Sequence, residues 1–339
     1  MHPALTLSLL TALALGLVAP TPRADELHLK DGRVVVGLLE KQSRSGYSFV
    51  EAGKKRAATF KASDVRRVVL TYESPDVAFD DPQWSDEMVE ARIAESFDPE
   101  WGEVEVLRSE HYIVFTNSSA GDRYLETMED IYSRFQAVFP FEEPRAAPLM
   151  PVFLFKTNDH YYAFYSKIAG ISLAEARKSA GHAWRDYYAT YYQSPKDPVN
   201  YHEGAHQLVK ERLRAGGGGS WFQEGMAVYF EGTVFPGEDP AKGMKGEVKS
   251  GRHTPFELFF SLRSLLYSST NDADPSLGTR RYQQAGALIK FLKEGPQAEL
   301  WPTLLDQLRD GEPWVDIFGQ TYGLSIADLE AAFVEYYGG

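Results

Sequence analysis

Three residues near the middle of the chain have the types and spacing needed to bind a metal ion and use it. His202, Glu203 and His206 form an H-E-x-x-H pattern. On a helix, positions i and i+4 project from one face, so the two imidazoles can bind one zinc ion. Glu203 follows the first histidine and can lean over the open coordination position. There it can serve as the general base that takes a proton from zinc-bound water.

The sequence around this pattern predicts a helix. Asp197 is a suitable cap, and Pro198 occupies the first helical position. Four consecutive glycines at residues 216–219 end the helix. The apolar residues between these limits follow a period of about 3.6. They are Tyr201, Ala205, Leu208, Val209 and Leu213.

A second helix is predicted directly after the glycines. Ser220 is expected to be its N-cap, with Gln223 completing a capping box, so Glu224 falls in the first turn. The glycines allow the chain to reverse, which lets the two helices pack side by side and brings Glu224 to the histidines. Two histidines, one glutamate and one open position form a catalytic rather than a structural zinc site. The sequence therefore predicts one Zn²⁺ per chain, bound by His202, His206 and Glu224.

The two motifs together resemble those of the gluzincin zinc metallopeptidases. The run W-F-Q-E-G-M-A-V-Y-F-E at residues 221–231 is similar to the third-ligand helix of the M1 aminopeptidase family. The chain around it is similar to bacterial peptidase-MA-like proteins. The resemblance implies peptide-bond hydrolysis, with the three ligands named above and Glu203 as the general base. It also implies a thermolysin-like domain over residues 106–339, with a mixed sheet followed by a helical C-terminal subdomain.

Two further residues are candidates for supporting roles. Tyr282 begins the run Y-Q-Q-A-G-A, which resembles a helix start of M1 enzymes whose tyrosine hydroxyl helps to hold the oxyanion. Alternatively, Tyr282 is a packing residue. Glu231 can orient a ligand imidazole or can be a solvated carboxylate at a helix end. The G-x-M-E-N element that captures a free amino terminus in M1 aminopeptidases is absent upstream, which favours cleavage within chains or near another end.

Residues 1–24 have the pattern of a secretory signal peptide. An uncharged apolar run at residues 4–19 is too short for a comfortable membrane span, and P-R-A precedes two acidic residues. We expect cleavage after Ala24 and export to the periplasm or the exterior, with a retained N-terminal anchor as the alternative. After removal of the signal, no stable membrane span is expected.

The composition restricts the partners. A formal net charge of −13 disfavours binding to nucleic acids and anionic membranes. The absence of cysteine excludes a disulfide framework. We expect a peptide or protein substrate, whereas nothing in the sequence indicates the oligomeric state. The alternative function is that of a catalytically inactive exported binding or scaffold protein with a peptidase-like fold.

The predicted fold class is α+β. Five short strands at residues 25–72 predict a small all-β module, an SH3-like barrel with an accessory or a structural role. Residues 73–105 are expected to be an acidic linker with one helix. The strand predicted at residues 187–193 would be an edge strand in a gluzincin fold, where an extended peptide can pair with it. Alternatively, it is a strand with a tyrosine-rich face and no role in substrate binding. Residues 232–251 are predicted to be a loop, followed by helices to the C-terminus.

Overall fold

The structure is a computed structural model of the 339-residue chain. The chain divides into two compact units, Met1–Asp80 and Asp81–Gly339. The predicted signal peptide lies outside the described residues, and the predicted boundaries at residues 24, 72 and 105 stay predictions. The structure describes residues 25–42, 46–69, 78–79, 84–142, 148–184, 186–192, 194, 196–215, 218–265, 276–309 and 314–339.

The first unit is built on one six-stranded sheet. Its strand order is β4-β3-β2-β1-β5, and β6 pairs in parallel with β2. Leu27, Leu39 and Phe49 are fully buried and form the centre of its small core. The strands are β1 (Asp25–Leu29), β2 (Val34–Gln42), β3 (Gly46–Glu51), β4 (Ala58–Lys61), β5 (Val65–Val69) and β6 (Ala78–Phe79).

This sheet is open, so the predicted SH3-like barrel is not supported. Strands β4 and β5 stand at the two ends of the order, and no pairing in the described part of the unit joins them. The periodicity of short strands is the same in an open sheet and in a barrel. Closure depends on strand tilt and register, which the pattern of apolar residues does not specify.

The second unit contains a mixed five-stranded sheet with the order β10-β11-β9-β8-β7. The central strands β11, β9 and β8 run parallel, whereas β7 and β10 are antiparallel to their neighbours. Every residue of β8 and β9 is buried, as expected for parallel strands with helices on both faces. The strands are β7 (Glu105–Arg108), β8 (Tyr112–Thr116), β9 (Met150–Phe155), β10 (Gly181–Trp184) and β11 (Tyr187–Tyr191).

Twelve α-helices occur in the described part of the second unit. After β11, every regular element that the structure describes is helical, and the described residues form a mixed α and β protein with two sheets. No helix among the described residues has both the length and the apolar character to cross a membrane. The helices are α1 (Asp86–Ser96), α2 (Gly121–Val138), α3 (Asn158–Ala169), α4 (Leu173–Ala176), α5 (Pro198–Glu211), α6 (Gly219–Val234), α7 (Pro240–Lys249), α8 (Phe256–Ser261), α9 (Leu277–Glu294), α10 (Trp301–Arg309), α11 (Trp314–Tyr322) and α12 (Ile326–Gly338).

The prediction that residues 187–193 form an edge strand is wrong. Strand β11 lies between β10 and β9, and β10 stands at the end of the order. The four residues of β10, Gly-His-Ala-Trp, contain no β-branched side chain and give no strand pattern of their own. The edge strand of the sheet is therefore formed by a segment whose local sequence does not predict a strand.

The predicted loop at residues 232–251 is largely helical. Helix α6 continues to Val234, and α7 occupies Pro240–Lys249. The side chain of Asp239 accepts a hydrogen bond from the backbone N–H of Ala241 at 3.0 Å, and Pro240 takes the first helical position. This start signal is present in the sequence, but the glycines around it obscure it.

Candidate metal centre

Helix α5 carries the H-E-x-x-H residues and starts as its sequence predicts. The backbone N–H of Val199 donates to Asp197 Oδ1 at 3.0 Å, and Pro198 is in the first turn. A Cβ at Gly204 would lie 3.0 Å from Cγ2 of Ile131, so the glycine permits α5 to pack closely on α2. Burial of the apolar face against α2 leaves the opposite face, with its histidines, toward α6.

Helix α6 starts differently from its prediction. It begins at Gly219, its N-cap is Gly218, and no side chain caps it. Ser220 therefore lies inside the helix, and the predicted capping box is wrong. Gly219 adopts φ +73°, a conformation open to glycine, and this reverses the chain without a cap. Glu224 consequently lies in the second turn of α6 rather than in the first.

The structure brings His202, His206 and Glu224 together. One potential ligand atom of each lies within 4.8 Å of the others. Glu224 Oε2 lies 3.3 Å from Nε2 of both His202 and His206. Two imidazole nitrogens and one carboxylate oxygen are a donor set that zinc takes in proteins. The side chains are 16%, 17% and 20% exposed, so the group has an open side that a substrate can approach.

The carboxylates around His202 strongly favour its protonated form. Burial lowers the pKa of His202, but hydrogen bonds to Glu224 and Glu231 outweigh it and raise the pKa to about 10. Burial also opposes ionisation of Glu224, yet hydrogen bonds from His202 and His206 hold its pKa well below the ordinary value. A metal ion that binds here therefore competes with a proton on His202.

We expect zinc binding to become tighter as the pH rises. The pKa of His202 is about 10 instead of its ordinary 6.5, so the ring carries a proton at neutral pH, whereas a metal ligand must be neutral. Release of one proton should increase the apparent affinity by about tenfold per pH unit between about pH 7 and pH 9. Competition titrations with a chromophoric chelator measure this. An affinity that is independent of pH in this range would contradict it.

Glu231 contacts the first histidine. Its Oε2 lies 3.3 Å from His202 Nδ1, on the ring edge opposite the atom that faces Glu224. Of the two interpretations of Glu231, the geometry favours the one in which it orients His202. A carboxylate on the second ring nitrogen fixes the tautomer and the orientation of a metal-binding imidazole.

Replacement of Glu231 by glutamine should weaken zinc binding by about 10- to 100-fold, because the ring of His202 loses its charged partner. The exposed Glu126 of α2 supplies the matched control, since Glu126→Gln removes the same charge outside the candidate site. Zinc competition titrations compare the two variants. Equal affinities would show that Glu231 does not support the metal site.

Glu203 lies beside the three potential ligands and is held by the edge strand. Its Oε2 accepts a hydrogen bond from the backbone N–H of Ala183 in β10 at 2.9 Å. Burial raises the pKa of Glu203, partly offset by the charges of His206 and His202. The carboxylate is thus fixed in direction by a backbone donor and has a higher proton affinity than an exposed glutamate.

Tyr282 also reaches the site, from α9. Its ring lies over that of His202, with 6.1 Å between ring centroids and 22° between ring planes. Gly225 allows this approach, because a Cβ there would lie 2.7 Å from the carbonyl oxygen of Ala285 in α9. Tyr282 lines a cavity of about 370 Å³ together with His202 and Glu203.

The same cavity contains residues that the sequence did not indicate. Gly237, Glu238 and Lys242 line it, and all three belong to the segment predicted to be a loop. The Asp-Pro pair that starts α7 is the one sequence signal that could have predicted this side of the cavity. Its position beside the candidate ligands makes it part of the surface that a substrate would meet.

Two other histidines do not join the site. His182 is buried among aromatic rings, its Nδ1 lies 2.9 Å from Tyr161 Oη, and burial lowers its pKa to about 3. His253 Nε2 lies 2.9 Å from Glu330. Each therefore has a structural partner away from Glu224.

Comparisons with known proteins include a distant structural similarity. No protein-family model matches the chain, and no curated protein matches it. A crystal structure of a mutant M1 zinc metallopeptidase from Deinococcus radiodurans is similar, with a TM-score of 0.38 and 12% identity over 68% of this chain. The matched region spans 52% of that protein, about half its length.

Proposed function

We propose that the protein is a zinc-dependent peptidase. The observation that carries the proposal is the convergence of His202, His206 and Glu224 within 4.8 Å, with Glu203 on the same helix as the two histidines. Zinc, when bound by these three residues, would supply a Lewis acid that polarises the scissile carbonyl and acidifies water. The chain must then supply a base, a place for the developing negative charge and a surface for the substrate.

Glu203 is the proposed general base. Its Oε2 is occupied by the N–H of Ala183, and no donor among the described residues bonds its Oε1. Oε1 can therefore accept the proton of the attacking water and deliver it to the nitrogen of the leaving amine. The raised pKa of Glu203 suits it to both steps, since it must bind a proton and then release it near neutral pH.

Tyr282 is proposed to stabilise the oxyanion. Its ring is stacked over the imidazole of His202 and lines the cavity. A neutral hydroxyl that donates to the developing negative charge would stabilise it. Tyr282→Phe removes only this hydroxyl. We expect kcat to fall by up to about 10²-fold with zinc binding intact. An unchanged kcat would leave Tyr282 a packing residue.

The proposed substrate is an extended peptide or protein segment. Strand β10 stands at the end of the described sheet order, so its outer backbone groups, apart from the N–H of Ala183 that bonds Glu203, can pair with an added strand. A peptide lying along β10 would be beside the proposed base, because the backbone N–H of Ala183 in β10 donates to Glu203. We also propose, from the sequence, that the protein is exported and does not bind nucleic acids.

Peptide cleavage with and without metal tests the function. A mixed peptide library, incubated with zinc-loaded protein and read by mass spectrometry, should show cleavage products. A chelator should abolish them, and added zinc should restore them, because the residues of the site need the metal to act. If zinc-loaded protein cleaves no peptide, the inactive binding or scaffold function replaces this proposal.

A further inference from the structure

We propose that Asn200 and Gln207 are positioning residues that set the rotation of α5, so that His202 and His206 face Glu224. This inference rests on the zinc site proposed above. Three polar residues of α5, at positions 200, 203 and 207, follow the spacing i, i+3, i+7. At about 100° per residue they occupy a stripe about 60° wide. The two histidines project about 110° away from the centre of that stripe.

Asn200 joins α5 to two other elements. Its Oδ1 accepts hydrogen bonds from Tyr124 Oη of α2 at 2.8 Å and from Tyr188 Oη of β11 at 3.0 Å. Its Nδ2 donates to the carbonyl oxygen of Ser194 at 2.8 Å. Asn200 is 4% exposed and both tyrosines are almost fully buried, so water does not compete for these bonds. The start of α5 is therefore held in one orientation relative to the sheet.

Gln207 holds the other end of the stripe. Its Nε2 donates to the carbonyl oxygen of Pro151 in β9 at 3.0 Å and to that of Asp186, directly before β11, at 3.2 Å. Its Oε1 is buried and has no hydrogen-bond partner among the residues that the structure describes, which costs stability. An apolar side chain of the same length would avoid that cost. The amide is present although the burial of its Oε1 is unfavourable, which points to a role for the two directional bonds of its Nε2.

Directional bonds matter here because a metal site tolerates little displacement. A side chain on a helix reaches about 5–6 Å from the axis, so a rotation of about 20° would move its end by about 2 Å. Metal–ligand distances vary by only about 0.2 Å. The buried apolar residues of α5, such as Ala205 and Leu208, are held by contacts that have no preferred direction. The stripe supplies the missing angular constraint.

Two substitutions test the inference with a matched control. Gln207→Met keeps the length of the side chain and removes its two hydrogen bonds, and Tyr124→Phe removes one bond to Asn200. Tyr337→Phe is the control, because that hydroxyl is also buried and donates to the carbonyl oxygen of Ala287 at 2.9 Å, in α9. All three proteins are compared by melting temperature, zinc affinity and the visible spectrum of the Co²⁺ derivative.

We expect the first two variants to bind zinc about 10- to 100-fold more weakly and to change the cobalt spectrum, which reports ligand geometry. Tyr337→Phe should lose similar stability with neither effect. Wild-type zinc affinity and spectrum in Gln207→Met and Tyr124→Phe, whatever their melting temperatures, would overturn the inference. A wild-type protein that binds zinc but cleaves no peptide would instead contradict the proposed function, and the metal-binding comparison would still decide the role of the stripe.

Discussion

Replacement of Glu203 by glutamine is expected to lower kcat for peptide cleavage by about 10²- to 10⁴-fold while zinc remains bound. Glutamine has the shape of glutamate, and its amide oxygen can still accept the hydrogen bond from Ala183. It cannot accept a proton at neutral pH, so the attacking water keeps its proton. Steady-state kinetics on a cleaved peptide, combined with metal analysis of the same sample, measures both effects.

Glu211→Gln is the matched control for this result. Glu211 lies at the end of the same helix, and burial raises its pKa too, but it is not part of the candidate site. Its substitution should leave kcat close to the wild-type value. Equal activity of wild type and Glu203→Gln would remove Glu203 from the mechanism, even if the protein proves to be a zinc enzyme.

Replacement of His206 by alanine is expected to abolish both zinc binding and activity. Only His202 and Glu224 remain as ligands, and a catalytic zinc site uses three protein donors. Loss of a residue that only hydrogen-bonds to a metal ligand already lowers zinc affinity by about 10- to 100-fold, and loss of a ligand itself should lower it further. Metal analysis after dialysis against buffer with micromolar zinc measures the effect.

His160→Ala serves as the control for the loss of one imidazole. His160 lies on α3, stacked on Trp101 with 4.7 Å between ring centroids, and does not belong to the candidate ligands. This variant should retain both zinc and activity. If His206→Ala also retained them, the metal would have to bind elsewhere in the protein.

The chemistry of the site was more predictable than the scaffold around it. The helix of His202 and His206 could be predicted because its cap, its proline and its apolar period all favour the same structure. The approach of Glu224 followed from the reversal at the glycines, although Gly219, and not a capping Ser220, produces the turn. Local signals were thus sufficient where they agreed with one another.

The edge strand and the wall of the cavity could not be predicted in the same way. Strand β10 exists because β11 pairs with it, and its own residues have no strand pattern. The open sheet of the first unit likewise depends on register between distant strands. The contact between Glu231 and His202 depends on how α5 and α6 pack. The position of Glu231 in the sequence alone therefore could not decide whether it orients His202 or is a solvated carboxylate.

The most direct test of the metal site is the zinc content and zinc X-ray absorption spectrum of the purified protein. We predict one zinc per wild-type chain, with a first shell of nitrogen and oxygen atoms at about 2.0–2.2 Å that includes imidazole scattering. The metal should disappear in His206→Ala and persist in Glu203→Gln. A wild-type protein that takes up no zinc, or a spectrum without histidine, would contradict the convergence of His202, His206 and Glu224 on one ion.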